Sequence, residues 1–257
     1  MSAPRDGWSP EVYARFSAHR TRPFEDLLAM FTPAPGGTLL DLGCGTGALT
    51  LRADEALRVR RTLGLDSSAA MLSGRAPLER VRFEQKDIAV DLPEGPFDRV
   101  MSNSAFNWVP SHRTYLPRVI GLVAPGGELA VQMPSNVGTP FWDAAADVAR
   151  GEFSTLLFGF VSESPVEAPE VYAELLARDE RVAEFKVGTW LYPQLHETPD
   201  GLADFAQGGM LSAYRARLGA EDFGRFVEAY KRELRKRLGD GPTFFAFKRV
   251  FVFARMK

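Results

Sequence analysis

Through the first half of the chain, short apolar runs alternate with segments whose apolar positions recur at helical spacing. The runs read as buried strands of a parallel sheet, since a strand covered on both faces needs no polar alternation. They are GTLLDLG at 37–43, RTLGLD at 61–66, VRFEQKD at 81–87, FDRVMSN at 97–103 and GELAVQMP at 127–134, with helical segments between them. A weaker strand follows in EFKVGTWLYPQL at 184–195, and a strongly β-type ending, FFAFKRVFVFARM, occupies 244–256. Strands alternating with helices predict an α/β layered architecture. The stretches 138–183 and 196–241 are longer than plain crossovers need and carry helical spacing. The pattern predicts one domain over 1–257, with a helical cap formed by about 8–30, 138–183 and 196–241. In the first of these, Ser9 before Pro10 reads as an N-cap followed by a first-turn proline.

Composition narrows the partners more than the fold. Net charge is −2, from 31 basic and 33 acidic side chains, so no global field draws nucleic acid or an anionic membrane. The single cysteine, Cys44, excludes an intramolecular disulfide and fits a reducing compartment, and a metal cluster is not expected. No stretch approaches the ~18 uncharged apolar residues of a membrane span, and the first thirty residues lack the apolar centre of a signal peptide. These features predict a cytoplasmic protein, monomer or homodimer, without nucleic-acid or membrane partners, and leave what it acts on to its local sites.

Candidate chemistry begins at TLLDLGCGTGALTL, where Gly43, Gly45 and Gly47 follow a strand and precede a helix. Such a turn exposes backbone N–H groups and lets a ligand lie against bare backbone. The ligand type is a nucleotide or nucleoside. Gly43, Gly45 and Ala48 also satisfy the dinucleotide fingerprint, so the glycines alone leave that choice open. Acids discriminate further. Asp66 ends the second strand, where a carboxylate accepts both hydroxyls of an adenosine ribose; its alternative is to cap the next helix. Asp87, ending the third strand, either meets a purine amine or is a solvated loop acid. Asp41 would repel a pyrophosphate and suits a cationic ligand tail.

LLDLGCGTG, then GLDSSAAML, KDI and FDRVMSN, resemble in order and spacing the S-adenosylmethionine site of class I methyltransferases. The resemblance implies a doubly wound Rossmann-like sheet, seven-stranded and mostly parallel, with an antiparallel last strand supplied by 244–256. It implies S-adenosylmethionine as cofactor, the glycine turn cradling its methionine part and ribose, Asp66 on the ribose and Asp87 beside adenine. Ser67, Met71, Ile88 and Asn103 join Asp41 as cofactor-binding candidates on the same resemblance, with Met71 equally suited to the core.

WSPEVYARFSAHRTRP at 8–23, SNSAFNWVPSH at 102–112, LAVQMPSN at 129–136 and the closing FFAFKRVFVFARMK are similar to the trans-aconitate methyltransferases, which esterify a carboxylate of a small polyacid. The implied activity is O-methylation of a carboxylate. That reaction needs no general base, because a carboxylate of pKa near ~4 is already an anion at neutral pH. Arg20 and Arg22 are candidates for gripping the acid, with His19 beside them; each is otherwise a solvated helix end or a structural bridge to an acid. Tyr13 reads as a roof residue or as packing. Phe106, Asn107 and Trp108 follow Asn103 on one loop and are expected at the acceptor; Trp108 either faces the sulfonium or anchors the core. His112 is a base for a hydroxyl acceptor or else an exposed residue. Departures from the family pattern are Ser212 and Ala213, where an arginine-proline pair is expected, and Pro193, where a histidine is. Arg215 and Arg217 are the cations nearest that gap in sequence. A pocket short of cations favours a less polyanionic acid than trans-aconitate. The alternatives are transfer to a hydroxyl, amine or carbon of a larger metabolite, with His19 or His112 as base, and a cofactor-binding protein without catalysis.

Overall fold

Apolar runs with few polar interruptions become strands because both faces of a central parallel strand are covered. The protein's structure, a computed structural model, describes residues 17–73 and 79–257, with the backbone alone at 17–20. Its seven-stranded sheet has the order β3-β2-β1-β4-β5-β7-β6. The strands are β1 Thr38–Leu42, β2 Arg61–Asp66, β3 Val81–Gln85, β4 Phe97–Asn103, β5 Val123–Pro134, β6 Val182–His196 and β7 Thr243–Met256. β1, β2, β3, β4 and β5 pair in parallel, whereas β7 runs antiparallel to β5, from Glu128↔Arg255 to Pro134↔Arg249. The expected Rossmann-like sheet with its antiparallel last strand is thereby found.

Two expectations about elements change. Between β3 and β4 there is no helix: Asp87 starts a turn and Pro93, Gly95 and Pro96 follow, each hostile to helix propagation. β5 begins at Val123, ahead of the Pro-Gly-Gly that reads as a turn, and the pairing with β4 shifts register between Phe97 and Arg99 to absorb it.

By their internal contacts the residues form two compact units. The sheet unit takes Ala18–Pro134, Pro165–Trp190 and Arg249–Lys257. It contains α1 Ser17–Leu28 from Ala18 onward, α2 Ala48–Leu57, α3 Ala69–Leu72, α4 His112–Ile120 and α6 Pro169–Arg178. Its core is a continuous cluster that includes Leu40, Leu42, Val100, Tyr115, Leu129, Val131, Tyr172 and Val252. The helical unit takes Ser135–Ser164 and Leu191–Lys248, with α5 Pro140–Arg150, α7 Pro199–Gln207, α8 Ser212–Arg215 and α9 Ala220–Leu238. Its interior is aromatic: Tyr214 stacks on Phe226 at 4.6 Å, Phe141 lies 4.9 Å from Phe245, and the buried Tyr230 hydroxyl donates to the Phe141 carbonyl at 2.8 Å. Of the segments expected to form a cap, 18–30 and 165–183 group with the sheet.

A charged cluster is buried early along β4 and β5. Arg99 pairs with Glu128 at 3.2 Å, the carboxylate only 1% exposed, and the same carboxylate accepts from the Thr32 N–H at 2.8 Å and from Arg255 at 3.1 Å. Arg99 Nε also donates to the Thr32 carbonyl at 2.8 Å, tying the chain after α1 to the sheet. Removing one member of such a cluster strands the other charge in a low-dielectric interior. Glu128→Ala is expected to lower the unfolding free energy by about 3–5 kcal/mol, read from urea denaturation. A loss below 1 kcal/mol would mean that Arg99 finds another partner.

Candidate functional site

β1 ends in a glycine turn whose conformation requires the sequence it has. Gly43, Gly45 and Gly47 have φ of +85°, +53° and +73°, the left-handed region that other residues enter at a cost. Gly43 is bare for a reason internal to the protein: a Cβ there would fall 2.1 Å from the Ala105 Cβ, on the loop after β4. Gly45 differs, since a Cβ there would meet nothing within 4 Å, so its left-handed φ rather than a close neighbour asks for glycine. Gly43 and Cys44 both donate N–H to the Leu65 carbonyl at 2.8 Å, closing the turn onto β2. Gly47 is the N-cap of α2, without a side-chain cap on that helix start.

At the end of β2, half-buried Asp66 is oriented by two backbone donors. Its Oδ2 accepts from the Gly45 N–H at 2.8 Å and its Oδ1 from the Ser68 N–H at 2.9 Å. A carboxylate has about four lone-pair sites, so two are left for hydroxyl donors. Ser68, not Asp66, provides the side-chain cap of α3, through Met71 N–H at 3.3 Å. Asp41 is buried on β1, accepting from Thr50 Oγ1 at 2.6 Å. Asp87 lies just past β3, half-buried, with Oδ1 accepting from the Ala89 N–H at 3.1 Å. Tyr115 donates to the neighbouring Ile88 carbonyl at 2.8 Å and so fixes that loop. Ser67 is exposed and Met71 buried. Together the left-handed glycine turn and an acid with spare acceptor capacity fit a nucleoside-containing cofactor.

The loop after β4 is rearranged relative to expectation. Phe106 is not at a pocket wall: it is 1% exposed, edge-on to Tyr115 at 5.1 Å, and belongs to the core. His112 is neither exposed nor available as a base. It is 1% exposed, with Nε2 2.9 Å from the Phe106 carbonyl and Nδ1 against the Tyr172 hydroxyl. A carbonyl only accepts, so Nε2 carries the proton and Nδ1 accepts from Tyr172. Burial lowers the His112 pKa, against the smaller opposing effects of the Phe106 and Val109 backbone and the Glu167 charge. Trp108 is 44% exposed rather than an anchor, and Asn107 is half-buried.

On the expected acceptor side, Arg22 is exposed on α1, and His19 and Arg20 are on the same helix, their side chains outside the described residues. Tyr13, Ser9 and Pro10 also lie outside them. In the helical unit, Arg215 stands 4.7 Å over the Phe223 ring, its pKa lowered by burial, and Arg217 stands 3.6 Å over Phe160. Ser212 and Ala213 begin α8, and Pro193 is exposed on β6.

Sequence reasoning missed a polar cluster of amides and one arginine at the carboxyl end of β4, where Asn103 pairs with Gln132 in register. Gln132 Nε2 donates to Asn103 Oδ1 and, at 2.8 Å, to Ser104 Oγ. Arg249 Nη1 donates to Gln132 Oε1 at 2.8 Å and to Ser104 Oγ at 2.9 Å. The signal was present: one glutamine inside LAVQMP and one arginine inside FKRVFVF, polar residues in runs that must be buried.

A family model described as a methyltransferase domain matches residues 40–131, from β1 through the Asn103 loop to β5. Over 255 residues the chain is 36% identical to a trans-aconitate 2-methyltransferase of Deinococcus radiodurans, covering 96% of this chain and 97% of that one. Among solved structures, the YcgJ protein of Bacillus subtilis has a TM-score of 0.58 at 16% identity, over 92% of this chain and 99% of that one. A Haemonchus contortus phosphoethanolamine N-methyltransferase 2, solved with S-adenosyl-L-methionine, has a TM-score of 0.55 at 16% identity, over 92% of this chain and 53% of that one. These last two share the fold.

A histidine held neutral by burial makes stability depend on acid. The folded pKa lies below the unfolded value near 6.5, so below about pH 6.5 the unfolded state binds the proton first and stability falls, by at most ~1.4 kcal/mol per pH unit. His112→Asn should reduce the loss of unfolding free energy between pH 7 and pH 5 by about 1 kcal/mol, measured by urea titration at each pH. Equal losses in both proteins would mean that the ring is charged in the fold.

Proposed function

This chain belongs to the family of the trans-aconitate 2-methyltransferases, and from that premise we propose that it carries the methyl group of S-adenosylmethionine to a carboxylate oxygen of a small acid. The observation carrying the choice of acceptor is kinship over almost the whole chain, so that the helical unit as well as the cofactor end is shared. Bound, the cofactor supplies an electrophilic methyl on a sulfonium sulfur.

The residues divide the work as follows. The turn at Gly43, Gly45 and Gly47 presents backbone to the cofactor, Asp66 accepts from the ribose hydroxyls through its two remaining lone-pair sites, and Asp87 with Ile88 receives the base. Asp41 adds negative charge near the cationic tail, and Ser67 is exposed beside Asp66. Trp108 offers an exposed aromatic face to a cation, and Asn107 sits next to it. Arg20, Arg22 and His19 on α1 are proposed for the acid acceptor.

A carboxylate acceptor is already ionised, and rate then depends on alignment and exclusion of water. The burial of His112 supports this over transfer to a hydroxyl or amine, because it removes one of the two histidines that such a reaction would use as base. No helix among the described residues is long and apolar enough to cross a membrane, and a single buried cysteine suits a reducing cytoplasm.

Incubation with methyl-labelled S-adenosylmethionine and a panel of di- and tricarboxylic acids is expected to give product whose label is released by mild alkali, as from a methyl ester. Alkali-stable label only, on hydroxyl or amine acceptors, would refute the carboxylate reading. Asp66→Ala should weaken cofactor binding by ~1–3 kcal/mol in calorimetry, since hydrogen bonds to a charged acceptor are removed. Unchanged affinity would take the ribose elsewhere.

A further inference from the structure

The hydrogen-bond directions around Gln132 are not free choices. A guanidinium donates and never accepts. Arg249, 4% exposed, directs Nη1 at the Gln132 side chain, so that amide must turn its oxygen to the arginine. Its nitrogen then faces β4, where it donates to Asn103 Oδ1 and Ser104 Oγ. Asn103 must therefore hold its own oxygen inward, and its Nδ2 carries two N–H groups that make no hydrogen bond to any described residue. One buried cation thus fixes two successive amides, and the last presents a donor.

The position of that donor matters. Asn103 is half-buried at the carboxyl end of β4, two residues before Ala105, whose Cβ occupies the space denied to Gly43. Ligands of open α/β sheets gather at this edge. A fixed NH₂ group backed by a buried positive charge suits an oxyanion and disfavours a donor or a cation.

We propose that Arg249, acting through Gln132, is a positioning residue that sets the Asn103 amide to donate to a carboxylate at the carboxyl edge of β4. Two carboxylates have this chemistry: that of the acid acceptor and that of the amino-acid end of the cofactor. Only the first source rests on the proposed reaction. The device is a specificity element, since turning the Asn103 amide over would present an oxygen to the same carboxylate and repel it.

The test uses the full chain, calorimetry and three probes: adenosine, S-adenosylhomocysteine, and propane-1,2,3-tricarboxylate added to protein saturated with S-adenosylhomocysteine. Gln132→Glu keeps an acceptor for Arg249 but cannot donate to Asn103, so the Asn103 amide turns over. Asn103→Asp removes the donor without touching the Arg249–Gln132 pair, and decides the matter if the buried variant fails to fold. Each variant is expected to bind at least one carboxylate-bearing probe tenfold or more weakly, with adenosine affinity within twofold of wild type. Loss confined to the tricarboxylate identifies the acceptor as the source, and loss with S-adenosylhomocysteine identifies the cofactor. Affinities for all three probes within twofold of wild type, or a parallel loss of adenosine, would overturn the inference. Absence of any methyl ester from the wild-type protein would refute the proposed reaction alone, because these binding readouts stand without it.

Discussion

The approach of the β4 loop to the β1 turn is the constraint on which the site depends. Ala105 occupies the space where Gly43 would carry a side chain, and Leu65 receives the N–H groups of Gly43 and Cys44 together. The turn is thereby held between two neighbouring strands, and glycine is required at Gly43 by packing and at Gly45 by its left-handed φ. The same residue type answers two different demands two positions apart. Asp66 then uses the Gly45 N–H to fix its carboxylate, so the acid and the backbone it faces are set by one hydrogen bond.

β4 and β5 carry a polar cluster at each of two register positions, and the contrast between them is instructive. At Arg99↔Glu128 the partners are opposite charges, buried and hydrogen-bonded to Thr32, an arrangement that ties chain segments together. At Asn103↔Gln132 the partners are neutral amides oriented by a cation from β7. Between them lie Val100, Met101 and Ser102 opposite Leu129, Ala130 and Val131, all buried. An ion pair closes on itself and leaves little to offer a ligand. A chain of amides ending in a donor does not close, and that open end lies at the edge where ligands bind.

The strands were legible because burial on both faces leaves an apolar run that survives in the sequence, and the order of glycines and acids after them is local chemistry. β2 and β4 were read at their observed bounds, 61–66 and 97–103. What escaped was set by distant partners. His112 looks like a surface residue or a base when only its neighbours are known, because the hydroxyl that buries its reactivity comes from Tyr172, on another helix. Phe106 likewise reads as a loop aromatic until α4 brings Tyr115 against it. Arg249 meets Ser104 across 145 residues, a pairing that an isolated arginine in an apolar strand announces as a need without naming its answer. The segment 165–183 has helical spacing like the segments of the helical unit, and by internal contacts it groups with the sheet.

An acceptor that is already an anion changes what a site must provide. No proton has to leave during the step, so a histidine at the β4 edge would bring no rate, whereas a cation there would bring orientation. The fold is organised in that sense: the one histidine of the loop is turned into the core and held neutral, while a buried arginine is spent on directing amides. An arginine on the reacting oxygen itself would favour the ground state over the transition state, unlike one that grips the acid elsewhere. Interposing two amides between Arg249 and the edge keeps the direction of the hydrogen bond while moving the full charge away from whatever carboxylate Asn103 meets. In the helical unit Arg215 and Arg217 lie over aromatic rings, so their charge too is held against a ring face. At the carboxyl edge of β4 the donor is a neutral amide, and the cation that directs it, Arg249, stands one layer behind.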